Sequence, residues 1–290
     1  MTRRGAISLR DVAELVRAPA AMSVPGDLLA GAAASGWPFG RRTAGMIAAS
    51  VCLYWAGMAL NDYADRDLDA VERPGRPIPS GRVRPAEALA VAGALTALGV
   101  GLAGVAGRRS GLAVAVPLAA TVWAYDCGLK STVAGPAVMA LARGLNVLMG
   151  SGPGRAGAPA LVVGAHTYTV TALSRHEVHG GTRSVPVATL AGSTAVGVAS
   201  TLFGREAPRT HRIAGVAAAA GYLAAYGGAQ ATAIRQPSAG NIRAAVGAGI
   251  LGLLPLQAAL TATSGSLTAA MSLVVGHPLA RRLARKVSPT

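Results

Sequence analysis

Acidic side chains are scarce in this chain, 12 Asp and Glu among 290 residues against 27 Lys and Arg. Charge of either sign accounts for only 13% of residues and hydrophobic side chains for 52%, with a mean hydropathy of +0.44. That balance excludes a disordered chain, which combines low hydrophobicity with high net charge, and it is too apolar for an ordinary soluble domain. Aromatics are also few, 4% with two Phe, and none interleave with a basic stripe, so the net charge of +15 does not mark a nucleic-acid binder. Two cysteines, Cys52 and Cys127, both in apolar runs, exclude a disulfide framework and a thiolate zinc site.

Long apolar runs are what the chain has instead. Residues 88–107, 184–204 and 213–234 contain no Asp, Glu, Lys or Arg, and each is about the ~20 residues that span a bilayer as a helix. Runs bounded by charge, Pro or Gly predict helices over 18–39, 43–63, 85–106, 110–126, 132–150, 158–173, 185–203, 211–233 and 241–260. A weaker tenth covers 266–284, where Pro278 and a basic end would equally suit an interfacial helix. The predicted fold class is all-α, a polytopic transmembrane helix bundle of about nine helices with a tenth left open, forming a single domain over 1–290.

The basic N-terminal segment does not read as a cleaved signal peptide, because Asp27 interrupts its apolar run. With a cytoplasmic N-terminus and ten crossings, eighteen Lys and Arg fall on the cytoplasmic side and eight on the other, Arg143 lying inside a span. This predicts an integral protein of a bacterial cytoplasmic membrane, with the polar segments around 61–87 and 174–184 facing the cytoplasm.

Five of the 12 acids, Asp62, Asp65, Asp67, Asp69 and Glu72, crowd the end of the second run. On a continuing helix Asn61, Asp65 and Asp69 are spaced i, i+4 and i+8 and share a face, with Asp62 beside them. Packed carboxylates repel unless a cation neutralises them, and hard oxygen donors with an amide suit Mg²⁺, which prefers a few carboxylates plus substrate phosphate. A solvated loop end without metal is the bland alternative. The Pro-rich loop that follows carries Arg73, Arg76 and Arg82, whose guanidinium forks suit phosphate oxygens. Acidic face and arginine loop together describe a diphosphate held by metal on one side and by arginine on the other.

The string Asn61-Asp62-Tyr63-Ala64-Asp65-Arg66-Asp67-Leu68-Asp69 resembles the NDxxDxxxD signature of the UbiA superfamily of intramembrane prenyltransferases. Residues 76–82, the Tyr125-Asp126 to Leu129-Lys130 turn and Arg143-Gly144-Leu145-Asn146 are similar to further segments of that superfamily, and the likeness extends over nearly the whole chain. It implies a bundle around a central cavity and a Mg²⁺-dependent transfer of an isoprenyl group from a prenyl diphosphate to an acceptor, with release of diphosphate. The metal ligands would be Asn61, Asp65, Asp69 and Glu177, with Asp62 beside them in the catalytic cluster. Arg73, Arg76, Arg82, Lys130, Arg143 and Asn146 would bind the diphosphate. An ion pair between Arg143 and Asp27 is the alternative for that arginine, since a charge in mid-span needs an interior partner.

Tyr54, Tyr125 and Tyr168, with Trp55 and Trp123, lie where aromatic faces could stabilise an allylic cation or simply anchor the membrane interface. The departure from the superfamily is its second acidic motif, here Ser174-Arg175-His176-Glu177-Val178-His179-Gly180-Gly181. Only Glu177 remains as a carboxylate, with His176 and His179 around it, and histidine is a poor ligand for Mg²⁺. This resembles a divergent, EboC-like branch. The expected partners are a prenyl diphosphate, membrane lipids and an acceptor that the residues do not specify. A membrane terpene cyclase, or a non-catalytic binder or transporter of prenyl or amphipathic molecules, remains open beside the transferase.

Overall fold

The computed structural model describes residues 7–36, 39–151, 156–202, 204 and 207–287; Arg3, Arg4, Arg155 and Arg205 of the charge balance lie outside them. Among the described residues every regular element is a helix, as the apolar runs predicted. They are α1 (Leu9–Leu15), α2 (Val24–Ala34), α3 (Arg41–Ala64), α4 (Arg66–Glu72), α5 (Pro85–Cys127) and α6 (Gly135–Gly150). Then follow α7 (Gly157–Ser174), α8 (Ser184–Leu202), α9 (Arg209–Tyr222), α10 (Gly228–Arg235), α11 (Ala239–Thr263) and α12 (Leu267–Val287). A single π turn, Leu223–Gly227, joins α9 to α10.

Segments Arg41–Ala64, Pro85–Cys127, Ser184–Leu202 and Ala239–Thr263 are long and apolar enough to cross a bilayer. Large apolar side chains stand outward, among them Val105, Leu161, Val216 and Ile250, the arrangement of a surface solvated by lipid. The chain is an integral membrane protein. Its weaker tenth run is helical too, with an apolar part over Leu267–Gly276.

Helix α5 is too long for one crossing, and it turns back at Arg108, whose φ of 52° and ψ of −139° lie outside the helical region. The two limbs pair side by side: the Trp123 indole Nε1 donates to Thr96 Oγ1 at 3.1 Å, although a straight helix would hold residues so far apart in sequence about 40 Å from each other. The two predicted runs over 85–106 and 110–126 are these limbs, and both lie along α3.

Elsewhere small residues set the approach of the helices. A Cβ built on Gly31 of α2 would stand 2.0 Å from the Val147 carbonyl oxygen, and one on Gly150 of α6 would stand 2.1 Å from that of Leu28. The backbones of α2 and α6 therefore touch, which in lipid substitutes packing for the missing hydrophobic drive. Gly31→Val should destabilise the bundle by about 1–3 kcal/mol, read as a lowered unfolding temperature in detergent. An unchanged temperature would mean that this contact does not hold the helices.

The loops bearing Arg76, Lys130, Glu177 and Arg235 gather at one end of the bundle. Arg175 donates to the Thr132 carbonyl, Arg243 to that of Glu177 at 3.3 Å and the Gly181 amide to that of Pro237 at 3.2 Å. At the opposite end Arg42 ties the start of α3 to the Ser151 carbonyl at 2.8 Å.

Candidate functional site

The acidic cluster lies where α3 ends. The expected single helix through Asp69 is interrupted: Asp65 leaves the helical region at φ −91° and ψ 5°, closing α3 and opening α4. The backbone bonds from Asp65 N to Asn61 O and from Asp69 N to Asp65 O still form, at 2.9 and 2.8 Å. This break sends the carboxylates to two places instead of along one stripe.

In the first place, Asp62 and Asp69 share the Arg76 guanidinium. Arg76 Nη1 lies 3.2 Å from Asp62 Oδ1 and 2.5 Å from Asp69 Oδ2, while Arg73 reaches Asp69 Oδ1 at 3.4 Å. Asp62 also holds Arg17 at 2.7 Å. In the second, Lys130 Nζ stands 2.6 Å from Asp65 and 3.8 Å from Asp126, and the Asn61 amide donates to both carboxylates at 3.1 Å. A hollow of about 360 Å³, lined among others by Tyr63, Arg66, Asp126 and Lys130, opens beside this half.

These are hard oxygen donors of the kind that hold Mg²⁺, so the chemistry of the donor set fits such an ion. Among the described residues, no group of three or more His, Cys, Asp or Glu side chains is close enough to hold a metal: the carboxylates fall in two pairs, Asp62 and Asp69 bridged by Arg76, and Asp65 and Asp126 bridged by Lys130. Repulsion among the four acids is relieved by cations of the chain itself.

Several predicted residues stand elsewhere. Arg82 turns away from the acids: its Nη1 and Nη2 bind Glu14 at 2.7 Å each, Nη1 also meets Asp11 at 2.7 Å and Nη2 the Gly75 carbonyl at 3.0 Å. These contacts hold the Glu14 carboxyl below its usual range. Glu177 is separate too: burial pushes its carboxyl up from the ordinary value, and the charges that oppose this are those of Arg243 and Arg73. The His176 ring lies against Gly181, and His179 is exposed.

Arg143 and Asn146 meet deep in the bundle. Arg143 Nε lies 2.7 Å from Asp27, which is fully buried and also accepts from Asn146 at 2.7 Å and Gln257 at 2.6 Å. Ser50 donates to Asn146 in turn. Ser50 precedes Asn61 by eleven residues on α3, so this network lies about 16 Å along the helix from the acidic end. Among the aromatics, Tyr54 packs in the interior near it, Tyr125 is half-buried and Tyr168 is 49% exposed on the outside of α7.

Sequence reasoning overlooked Arg17 and did not assign Asp126 to the site. Asp126 had a signal, its i, i+4 spacing to Lys130; Arg17 had none, since its partner lies 45 residues away.

The model of the UbiA prenyltransferase family matches residues 22–282. The chain belongs to this family. Family prenyltransferases generally depend on a divalent metal. A digeranylgeranylglyceryl phosphate synthase of Methanopyrus kandleri is 40% identical over 139 residues, 48% of this chain and 49% of that protein. The bacteriochlorophyll synthase 34 kDa chain of Chloroflexus aurantiacus is 38% identical over 87 residues, 29% of this chain and 28% of its own. The chain thus spans about half the length, or less, of the curated relatives it matches.

A solved digeranylgeranylglyceryl phosphate synthase structure superposes with a TM-score of 0.64 at 16% identity, covering 88% of this chain and 98% of that one. A UbiA homologue from Aeropyrum pernix K1 gives 0.58 at 22%, covering 83% and 96%. These likenesses establish the UbiA fold.

Proposed function

We propose that this protein is an intramembrane prenyltransferase that binds a prenyl diphosphate at the polar end of the bundle, releases diphosphate and passes the isoprenyl group to an acceptor. The observation that carries this reading is the clustering of Asp62, Asp65, Asp69 and Asp126 with Arg17, Arg76 and Lys130 at one end of an apolar bundle. Carboxylates that can share a divalent cation and guanidiniums that fit phosphate oxygens are the two halves of a diphosphate site.

Asn61 and Asp65, with Asp126 beside them, would hold Mg²⁺ in one half of the cluster, and Asp69, with Asp62, would offer carboxylates in the other; bound there, the ion would supply charge that stabilises departing diphosphate. Arg76 and Lys130 present N–H donors toward the same developing charge, which is electrostatic stabilisation of the transition state. The apolar helices would exclude water from the allylic cation, with Tyr54 and Tyr125 as aromatic faces that could stabilise it. Relatives named digeranylgeranylglyceryl phosphate synthase make a phosphorylated glyceryl lipid the first acceptor to try. The excess of Lys and Arg in the loops of this end favours a cytoplasmic orientation.

The test is diphosphate release from geranyl, farnesyl and geranylgeranyl diphosphate by the purified chain in detergent, with and without Mg²⁺ and with candidate acceptors. Mg²⁺-dependent release is expected, and the organic product then separates a transferase from a cyclase. Donor binding without release under every acceptor condition would favour the binder or transporter instead.

A further inference from the structure

The N-terminal segment does not simply precede the bundle. Helix α1 lies at the polar end, capped by Ser8, whose Oγ accepts from the Asp11 amide at 3.1 Å, and it is strapped to the Pro-rich loop through Arg82. That guanidinium takes Glu14 with both terminal nitrogens and Asp11 with one, a bidentate grip with geometric specificity. Directly after α1, Arg17 takes φ 46° and ψ 52°, the left-handed region that favours glycine and that other residues enter where the surroundings impose it. Among the described residues only Arg17 and Arg108 are non-glycine positions with positive φ.

This turn aims Arg17 into the acidic cluster. Its Nη2 binds Asp62 Oδ1 at 2.7 Å, the same oxygen that Arg76 Nη1 approaches at 3.2 Å. Arg17 thus joins the Asp62–Asp69 half of the cluster from a segment 45 residues away in sequence. A guanidinium carries five N–H donors, and the bond to Asp62 uses one nitrogen of Arg17, whose side chain remains 28% exposed. Asp62 and Asp69 together face three guanidiniums, those of Arg17, Arg73 and Arg76, one positive charge more than the two carboxylates carry.

We propose that Arg17 is a diphosphate-binding residue and that Arg82 is its positioning residue, acting only through the strap to Glu14 and Asp11. The proposal rests on the diphosphate reading of the site and adds two roles to it. Arg82 has the composition of a phosphate ligand but is committed to α1; Arg17 has no motif around it but points at the site.

The experiment is titration of the full-length chain in detergent with inorganic pyrophosphate and Mg²⁺, followed by calorimetry, with the unfolding temperature as a control. Arg17→Gly removes the guanidinium while easing the left-handed backbone, so affinity should fall about tenfold to a hundredfold without a lower unfolding temperature. Arg82→Ala should weaken pyrophosphate binding in the wild-type background and have no further effect on Arg17→Gly, because both changes act through one contact. The exchange Glu14→Arg with Arg82→Glu, made together with Asp11→Asn so that no like charge faces position 82, should restore affinity by restoring the strap with its charges reversed. Unchanged affinity in Arg17→Gly overturns the role of Arg17. Additive losses, or failure of the exchange to restore binding, overturn the positioning role of Arg82. A wild-type chain that binds no pyrophosphate would remove the diphosphate reading itself, a result distinct from these.

Discussion

Asp69→Asn and Asp65→Asn should each lower Mg²⁺-dependent diphosphate release by at least about 10²–10³-fold, with the loss in kcat. The expected size is that of removing one preorganised group that acts on charge developing in the transition state. Asp69 is the more telling position, because it is 1% exposed and bound by both Arg73 and Arg76. Asparagine keeps the volume and an oxygen but cannot neutralise those guanidiniums or share a divalent cation as a carboxylate does. Asp67, whose side chain is 88% exposed, is the control, and Asp67→Asn should stay within about twofold, as expected of a surface substitution. Stopped-assay rates for the three variants beside wild type decide the matter. Rates within tenfold of wild type for Asp65→Asn and Asp69→Asn would remove both carboxylates from the chemistry.

The second large effect is expected far from that end. Arg143→Leu leaves Asp27, which is fully buried, with only the amides of Asn146 and Gln257. Breaking a buried pair from one side costs about 3–5 kcal/mol in soluble proteins, well above the ~0.6 kcal/mol average of intramembrane polar contacts. The loss should therefore appear as destabilisation, measured by thermal or denaturant unfolding in detergent. Replacing both partners, Asp27→Leu with Arg143→Leu, should recover part of it, since no charge is then left alone in the core. Such recovery is the mark of a structural pair. If Arg143→Leu kept full stability and instead lost donor affinity, the arginine would be a substrate contact.

The two predictions separate residues that the sequence places in one class. Arg76, Arg82 and Arg143 all look like diphosphate ligands when read along the chain, because each is an arginine beside a family-like motif. In the folded protein they have different partners: Arg76 binds Asp62 and Asp69, Arg82 binds Asp11 and Glu14, and Arg143 binds Asp27. Arg143 was the most legible of the three, since a charge inside an apolar span requires an interior partner and Asp27 is the acid within the first predicted span. The part played by Gln257 had no comparable signal, because a neutral amide in an apolar run does not by itself demand a counter-charge.

What the sequence alone determined was the apolar periodicity and the local spacing. Runs of about twenty uncharged residues become helices in lipid, where every backbone group must be satisfied within its own segment, so the all-α bundle and nine of its helical runs were readable without tertiary information, with the tenth left open. The clustering of Asn61, Asp62, Asp65 and Asp69 was readable for a similar reason, all four lying within a few turns of one strand of chain. Only the tertiary structure decided how those carboxylates divide into two pairs, because the break at Asp65 is one residue long and reverses no pattern in composition. It also decided that Arg17 reaches Asp62 across 45 residues and that Arg82 reaches Glu14 across 68. An arginine meets the carboxylate that folding brings within a few ångströms, and that proximity is set by the packing of apolar helices.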